Sequence, residues 1–403
     1  MKKTIGLLLA LVMILSVVAC GGGGSSSPPA SEAPSSSAPA SEAPSSSAQA
    51  PESASPPAAA VDPTIIGTID EDIDHHARRT YKIAYTHYDN SLLEQQMYDA
   101  YLTLLDRFNI EIVRMIGNTD DETYITNLQT LIDRGDIDGF IIETTNSVQN
   151  AVLDMMAECG IPYVNQWTEY FDADGRVVTP TVGLPQHQSG YEAMKYLIDN
   201  YKTYWGEDAD PSKFGVIGVD FSVSPALNWR TDGLVDAFRD AFPDNKNVFV
   251  NDSFAAGQSY WFALEGGYEP TVQIITANPQ VEYWFFGGTV EQYSIGAARA
   301  AEELGRDDTM LITTVGHPMI AEEWQNGYDG AEKAVMAISN YAYATPVLLG
   351  LIAQIDGRAT AETLWPQYKA EGDLCAIFPA EMKVVTKDTY QAFLDDMDRK
   401  YGP

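Results

Sequence analysis

From Tyr81 onward the chain alternates short apolar runs, rich in branched and aromatic residues, with longer stretches whose apolar positions recur every three to four residues. Tyr81 to Thr86, Ile110 to Ile116, Asp138 to Glu143 and Ile161 to Gln166 predict buried strands. Between them, Leu92 to Phe108 carries Leu93, Met97, Tyr101, Leu104, Leu105 and Phe108 at helical spacing. Tyr124 to Arg134, closed by Gly135, and Val148 to Glu158 predict two further helices. The same grammar returns in the second half. Strands are expected at Thr181 to Leu184, Phe214 to Val219, Asn247 to Asn251, Val281 to Phe286 and Met310 to Val315. The helices between them are Ser189 to Tyr201, one after Trp229, one from about Gly257, and Val290 to Leu304. Ala344 to Ile355 adds a helix and Met382 to Thr386 a late strand. Right-handed crossovers turn such a series into parallel sheets with helices on both faces. Two similar halves predict an α/β protein of two doubly wound parallel-sheet lobes with a cleft between them.

The stretch Phe214 to Phe238 shows where chemistry belongs. A strand is followed by the polar loop Asp220 to Trp229, then by a helix with Leu234, Val235 and Phe238 on one face and Asp232, Asp236 and Arg239 on the other. Ligands of open α/β sheets bind beyond the carboxyl ends of the strands. Arg230 is expected to open that helix with its guanidinium over the crevice, beside Asp220, Asn228 and Trp229. A planar fork, an amide, a carboxylate and an indole suit a small polyhydroxylated solute. The competing reading is a surface loop whose Arg230 pairs with Asp232 or Asp236.

The amino terminus bears on location. Met1-Lys2-Lys3 is a positive start, and Ile5 to Val18 is apolar but short for a membrane span. Val17-Val18-Ala19-Cys20 resembles the bacterial lipobox, so residues 1–19 read as a lipoprotein signal peptide and Cys20 as the lipidated residue. The alternative is an ordinary secretory signal with an incidental cysteine. Residues 20–64 read as a Gly, Ser, Pro and Ala tether in which PASEAPSSSA occurs twice, at Pro29 to Ala38 and Pro39 to Ala48. A flexible chain of about 40 residues spans roughly 35 Å. This implies an extracytoplasmic protein tied to the cell membrane through Cys20, and the long tether suits a Gram-positive surface.

Composition narrows the partners. Asp plus Glu total 57 against 24 Lys plus Arg, a net charge of −33, which repels phosphate backbones and excludes nucleic acid as a sensible partner. Aromatic residues make up 11% of the chain, enough for a large core with rings left for a site. Besides Cys20 there are only Cys159 and Cys375, expected as buried free thiols; spacing leaves a disulfide open. His75-His76 lie amid Asp70, Glu71, Asp72 and Asp74, but the spacing is not that of a metal site and a solvated linker end is the expectation.

Several local motifs together resemble the type I solute-binding proteins of bacterial ABC importers, in the ribose- and galactose-binding branch. They are Asp89-Asn90 after the opening strand, the I-D-G-F-I-I run at Ile137, Gly160-Ile161-Pro162, Arg230 with Gly233, Asp356-Gly357 before Trp365-Pro366, and Phe378 to Val385. The resemblance covers most of Tyr81 to Pro403. It implies a type I periplasmic-binding-protein-like fold with a three-segment hinge near Gly183, Asn340 and Ile377. The first lobe would then hold residues 80–183 and 341–377, the second 184–340 and 378–403. It implies a monomer without cofactor that delivers a sugar or sugar-like ligand to an ABC permease. Carried over to the loop ends, it implies ligand contacts from Tyr88, Asp89, Asn90, Glu143, Thr144, Gln166, Trp167, Asp220, Asn228, Trp229, Arg230, His317 and Asn340. The chain departs from the family where Trp167 replaces a common Asp, Thr289-Val290-Glu291 an Asn-Asp pair, and His317-Pro318 an Asp-Gly, which argues against an ordinary pentose or hexose. Each position also has a plainer reading: Trp167 and Trp229 as lobe packing, His317 as a loop residue bonded to backbone, Glu143 as a partner of Arg230.

Two other classes remain to be weighed. A ligand-presenting subunit for a membrane receptor kinase would share every feature above. An enzyme would need an activated group, and G-x-S-x-G, H-E-x-x-H, Walker A and G-x-G-x-x-G are all missing from the sequence. Only Asp220 with Glu143 could serve as a carboxylate pair for glycoside hydrolysis.

Overall fold

The computed structural model describes residues 67–69, 72–222, 224–253, 260, 262–316 and 318–403. The leader, the tether, Cys20 and His317 lie outside the described residues.

The first half builds β1 (Tyr81–His87), α1 (Leu92–Thr103), α2 (Leu105–Phe108), β2 (Ile110–Ile116), α3 (Asp121–Arg134), β3 (Gly139–Ile142), α4 (Gln149–Cys159), β4 (Tyr163–Gln166) and β5 (Thr181–Gly183). Then follow α5 (Gln186–Trp205), β6 (Phe214–Asp220), α6 (Pro225–Ala241), β7 (Val248–Asp252), α7 (Glu265–Ala277), β8 (Tyr283–Gly288), α8 (Glu291–Leu304), β9 (Met310–Thr314), α9 (Pro318–Gln325) and β10 (Val335–Ile338). The chain ends with α10 (Asn340–Ile355), β11 (Ile377–Pro379), β12 (Met382–Val385) and α11 (Tyr390–Tyr401).

The first sheet has the order β11-β5-β4-β3-β1-β2, parallel throughout. The second has the order β7-β6-β8-β9, also parallel. Single bridges Ile312↔Glu332 and Val315↔Met336 extend it towards β10, which pairs antiparallel with β12. The fold is therefore α/β, two doubly wound lobes joined by three segments. The chain leaves the first sheet after Gly183, returns through Ser339 into α10, and leaves again after β11.

Strand order follows from burial on both faces. Tyr81, Ile83 and Tyr85 face one layer of helices, Ala84 the other, and all are buried. α10 is the most apolar helix, with Val347, Leu348, Leu351 and Ile352 at or near zero exposure, because it packs on β3, β4, β5 and α1 at once. In the second lobe α5 and α6 approach backbone to backbone. A Cβ on Gly190 would fall 2.0 Å from the Arg230 carbonyl oxygen, and one on Gly233 1.9 Å from that of His187. These glycines fix where Arg230 stands.

Several expectations shift. α6 starts at Pro225 behind Ser224, so Arg230 sits in its second turn and does not open it; Pro at the first helical position was the signal. α7 begins at Glu265, later than expected. The apolar helix before Phe108 is interrupted at Leu104. Cys375 is buried and Cys159 half-buried, and both are free. His75 is not solvated: it is 6% exposed, edge-on to Phe108 at 5.1 Å, while His76 is exposed.

Candidate functional site

The strand ends of both sheets open on a common cleft of about 220 Å³. Tyr88 and Asp89 follow β1, Glu143 and Thr144 follow β3, and Trp167 follows β4, all lining it from the first lobe. Arg230 lines it from α6 and Asn340 from the first turn of α10, at a hinge segment.

Arg230 is 8% exposed. Its Nε donates to Gln186 Oε1 at 2.6 Å and its Nη1 to the Thr289 carbonyl at 2.9 Å. Nη2 has no partner among the described residues. Burial lowers its pKa to about 10, against the opposing influence of Tyr343 and Glu169. The guanidinium is thus held by two bonds with one nitrogen left, and it pairs with neither Asp232 nor Asp236. Nor does Glu143 reach it. Glu143 Oε2 accepts from the Tyr88 amide at 2.7 Å, and burial, reinforced by Glu94, pushes its carboxyl well above the usual range.

Trp167 has φ 68°, and the Thr168 amide donates to the Gln166 carbonyl across it at 2.8 Å. This is a γ-turn of the rare positive-φ kind, costing on the order of 1–3 kcal/mol, the sort of strain kept at binding sites. The indole packs on Tyr343, ring centroids 3.9 Å apart, and its Nε1 is buried beside the Glu94 carboxyl. Thr144 Oγ1 is buried and unpaired.

Other expected residues stand behind or beside the cleft. Asn90 is exposed and accepts from Arg114 Nη2 at 2.8 Å. Gln166 is fully buried, its Oε1 taken by the Tyr101 hydroxyl at 2.5 Å. Asn228 Oδ1 accepts from the Phe221 amide at 2.7 Å and pins the turn between β6 and α6. Asp220 ends β6 with its carbonyl held by Ser253, outside the lining. Trp229 is 42% exposed and sits edge-on to Phe171.

The cleft also gains residues that sequence reasoning missed. Glu94 occupies the last place of a Ser-x-x-Glu capping signature, and Ser91 Oγ does accept from its amide at 3.4 Å. Its carboxylate, however, turns inward to the Tyr85 hydroxyl, and burial raises its pKa to about 8. Glu291 opens α8; its Oε1 accepts from the Met319 and Ile320 amides at 3.1 and 3.2 Å, at the start of α9. So the Thr289-Val290-Glu291 segment still brings a carboxylate to the cleft, spent mostly on the protein itself. Gln186, Phe221, Leu227, Phe262, Val290 and Met319 also line the cleft from the second lobe. Among the described residues no group of His, Cys, Asp and Glu is arranged to hold a metal ion.

The architecture is that of the ABC-transporter solute-binding proteins. A periplasmic one from Actinobacillus succinogenes, with bound D-allose, superposes with a TM-score of 0.60 at 16% identity, over 78% of this chain and 100% of its own. A carbohydrate transporter solute-binding protein from Agrobacterium radiobacter in complex with D-arabinose gives 0.60 at 16% identity, over 79% and 98%. One from Bacillus halodurans with bound myo-inositol gives 0.58 at 14% identity, over 80% and 99%. No family model and no curated protein matches the chain.

Proposed function

We propose that this protein captures a small sugar or sugar-like solute between its lobes and hands it, unchanged, to an ABC importer. The observation that carries the reading is a cleft walled by strand ends of both lobes, with polar groups left over on each side: Arg230 Nη2 on one, Thr144 Oγ1 on the other. Buried polar atoms without partners are costly, about 1–3 kcal/mol each, unless something completes them. A solute touching both walls favours the closed arrangement of the lobes. The leader and Cys20 support a mature chain tethered by lipid on the outer side of the membrane, and Cys20→Ala is expected to release it or leave it uncleaved.

Calorimetric titration with D-allose, D-arabinose and myo-inositol, the solutes of the structural neighbours, tests the capture. Small-angle scattering on the same samples is expected to show a smaller radius of gyration with a bound solute. Turnover of any glycoside that is lost in Glu143→Gln would replace capture by hydrolysis.

A further inference from the structure

The charge on the two cleft walls is uneven. Asp89, Glu94 and Glu143 all reach the cavity from the first lobe. Their hydrogen-bond partners are neutral: the Ser91 amide for Asp89, the Tyr85 hydroxyl for Glu94 and the Tyr88 amide for Glu143. No ion pair reaches any of the three among the described residues. Arg114 acts on Glu94 from a distance, but it is engaged by His87 Nε2 and Asn90 Oδ1, each at 2.8 Å. Glu94 is 5% exposed, and besides the Tyr85 hydroxyl its carboxyl has only the Trp167 indole N–H beside it, again a neutral group.

A second observation comes from outside the acidic group. The Thr144 side chain, 1% exposed and without a partner, lies on the same wall, and Arg230 offers its free nitrogen from the opposite one. The second-lobe wall also carries Glu291, whose Oε1 is taken by the Met319 and Ile320 amides, and an apolar patch of Phe221, Leu227, Val290, Val315 and Met319 suited to the C–H face of a ring. A neutral polyol could accept from Arg230 and donate to one carboxylate. It would leave the other carboxyl groups of this wall without an opposite charge, able to stay buried only by keeping a proton. An ammonium supplies three donors and the missing charge at once.

Resting on the solute-capture reading above, we propose that the cleft takes an ammonium-bearing sugar or polyol in preference to its neutral counterpart, the ammonium seated at Glu94 and Glu143 and hydroxyls at Arg230. The electrostatics agree. The groups that face the pair are Tyr85, Tyr101, Asp89 and Arg114 around Glu94, and Tyr88, Tyr124, Tyr170 and Asp89 around Glu143. Arg114 alone among them is a cation. Burial therefore leaves a proton on the pair near neutral pH, and an arriving ammonium displaces it.

The test is calorimetric titration of the full chain with D-glucosamine and D-galactosamine against D-glucose, D-galactose and N-acetyl-D-glucosamine, at pH 7 in phosphate and in Tris. The amines are expected to bind at least about tenfold tighter than the neutral compounds. Their apparent enthalpy should differ between the buffers, because a proton is released. Glu94→Gln, checked by a melting curve, should erase most of that preference. Neutral sugars binding as tightly as the amines, or binding alone, overturns the inference and leaves solute capture standing. Binding by none of the five overturns the inference, and solute capture then stands or falls on the titrations with D-allose, D-arabinose and myo-inositol. Amine binding without proton release, or a preference intact in Glu94→Gln and in Glu143→Gln alike, removes the seat proposed for the ammonium.

Discussion

After β1 and β3 the chain places Asp89, Glu143 and Thr144 at the cleft; after β6, β8 and β9 it places Phe221, Val290 and Val315. The two sheets share a parallel build and helical crossovers between most strands, so the strands themselves account for none of this difference. It resides in the first residues beyond each strand and in the helix starts that follow. On the first wall the acidic groups come from loops and from the first turn of α1, each bonded to a different neutral partner. On the second, the polar group that counts, Arg230, comes from the second turn of a helix and is held by Gln186 and the Thr289 carbonyl. One wall is tuned by which charges crowd together, the other by how rigidly a single charge is placed.

The sharpest way to break the second wall is through its backbone. Gly190→Ala puts a methyl 2.0 Å from the Arg230 carbonyl and forces α5 from α6. A loss of about 3 kcal/mol in stability is expected in urea titration, with solute binding weakened at the same time, since overpacking costs about 1–3 kcal/mol even where side chains can yield. Arg230→Ala comes next. Binding should weaken roughly 10- to 1000-fold by calorimetry, with the fold retained, because hydrogen bonds to a charged group contribute about 1.5–3 kcal/mol. Arg230→Lys should recover only part of that, for lack of the planar fork.

The first wall answers to pH. Burial raises the folded-state pKa of Glu94 from 4.5 to about 8, so the folded protein holds a proton that the unfolded chain has lost. Its contribution to stability is full below the unfolded value and declines as pH rises through that window. Glu94→Gln should flatten the decline and raise stability at pH 8, by on the order of 1–3 kcal/mol, measured by urea titration at several pH values. The smallest effect is expected at Trp229, which is 42% exposed and outside the cleft lining. Trp229→Ala should leave affinity within about twofold, as surface changes away from a site do.

Most of the fold was legible because strands buried on both faces spell themselves in apolar runs, as FGVIGV and VEYWFF do. What escaped was short or disguised. β10 is the four-residue VMAI, and α9 the eight-residue PMIAEEWQ, too brief for a period to declare itself. Of the site, Tyr88, Asp89, Glu143, Thr144, Trp167, Arg230 and Asn340 do line the cleft, as strand ends and a hinge segment should. Gln166 and Asn228 are polar strand-end or loop residues too, yet spend their side chains on the protein, and alternation along a strand cannot tell a group facing the cleft from one facing the core. Glu94 was hidden in a capping signature. Only the fold brings Tyr85, nine residues earlier, to its carboxylate.

The central claim is that both walls close on one solute through Arg230. Mass spectrometry of small molecules released by denaturing the purified chain, beside Arg230→Ala prepared in the same way from the same medium, tests it directly. A single unmodified solute, near one per chain in the parent protein and lost from the variant, is the expected result. The same compound at the same stoichiometry in both would contradict the account.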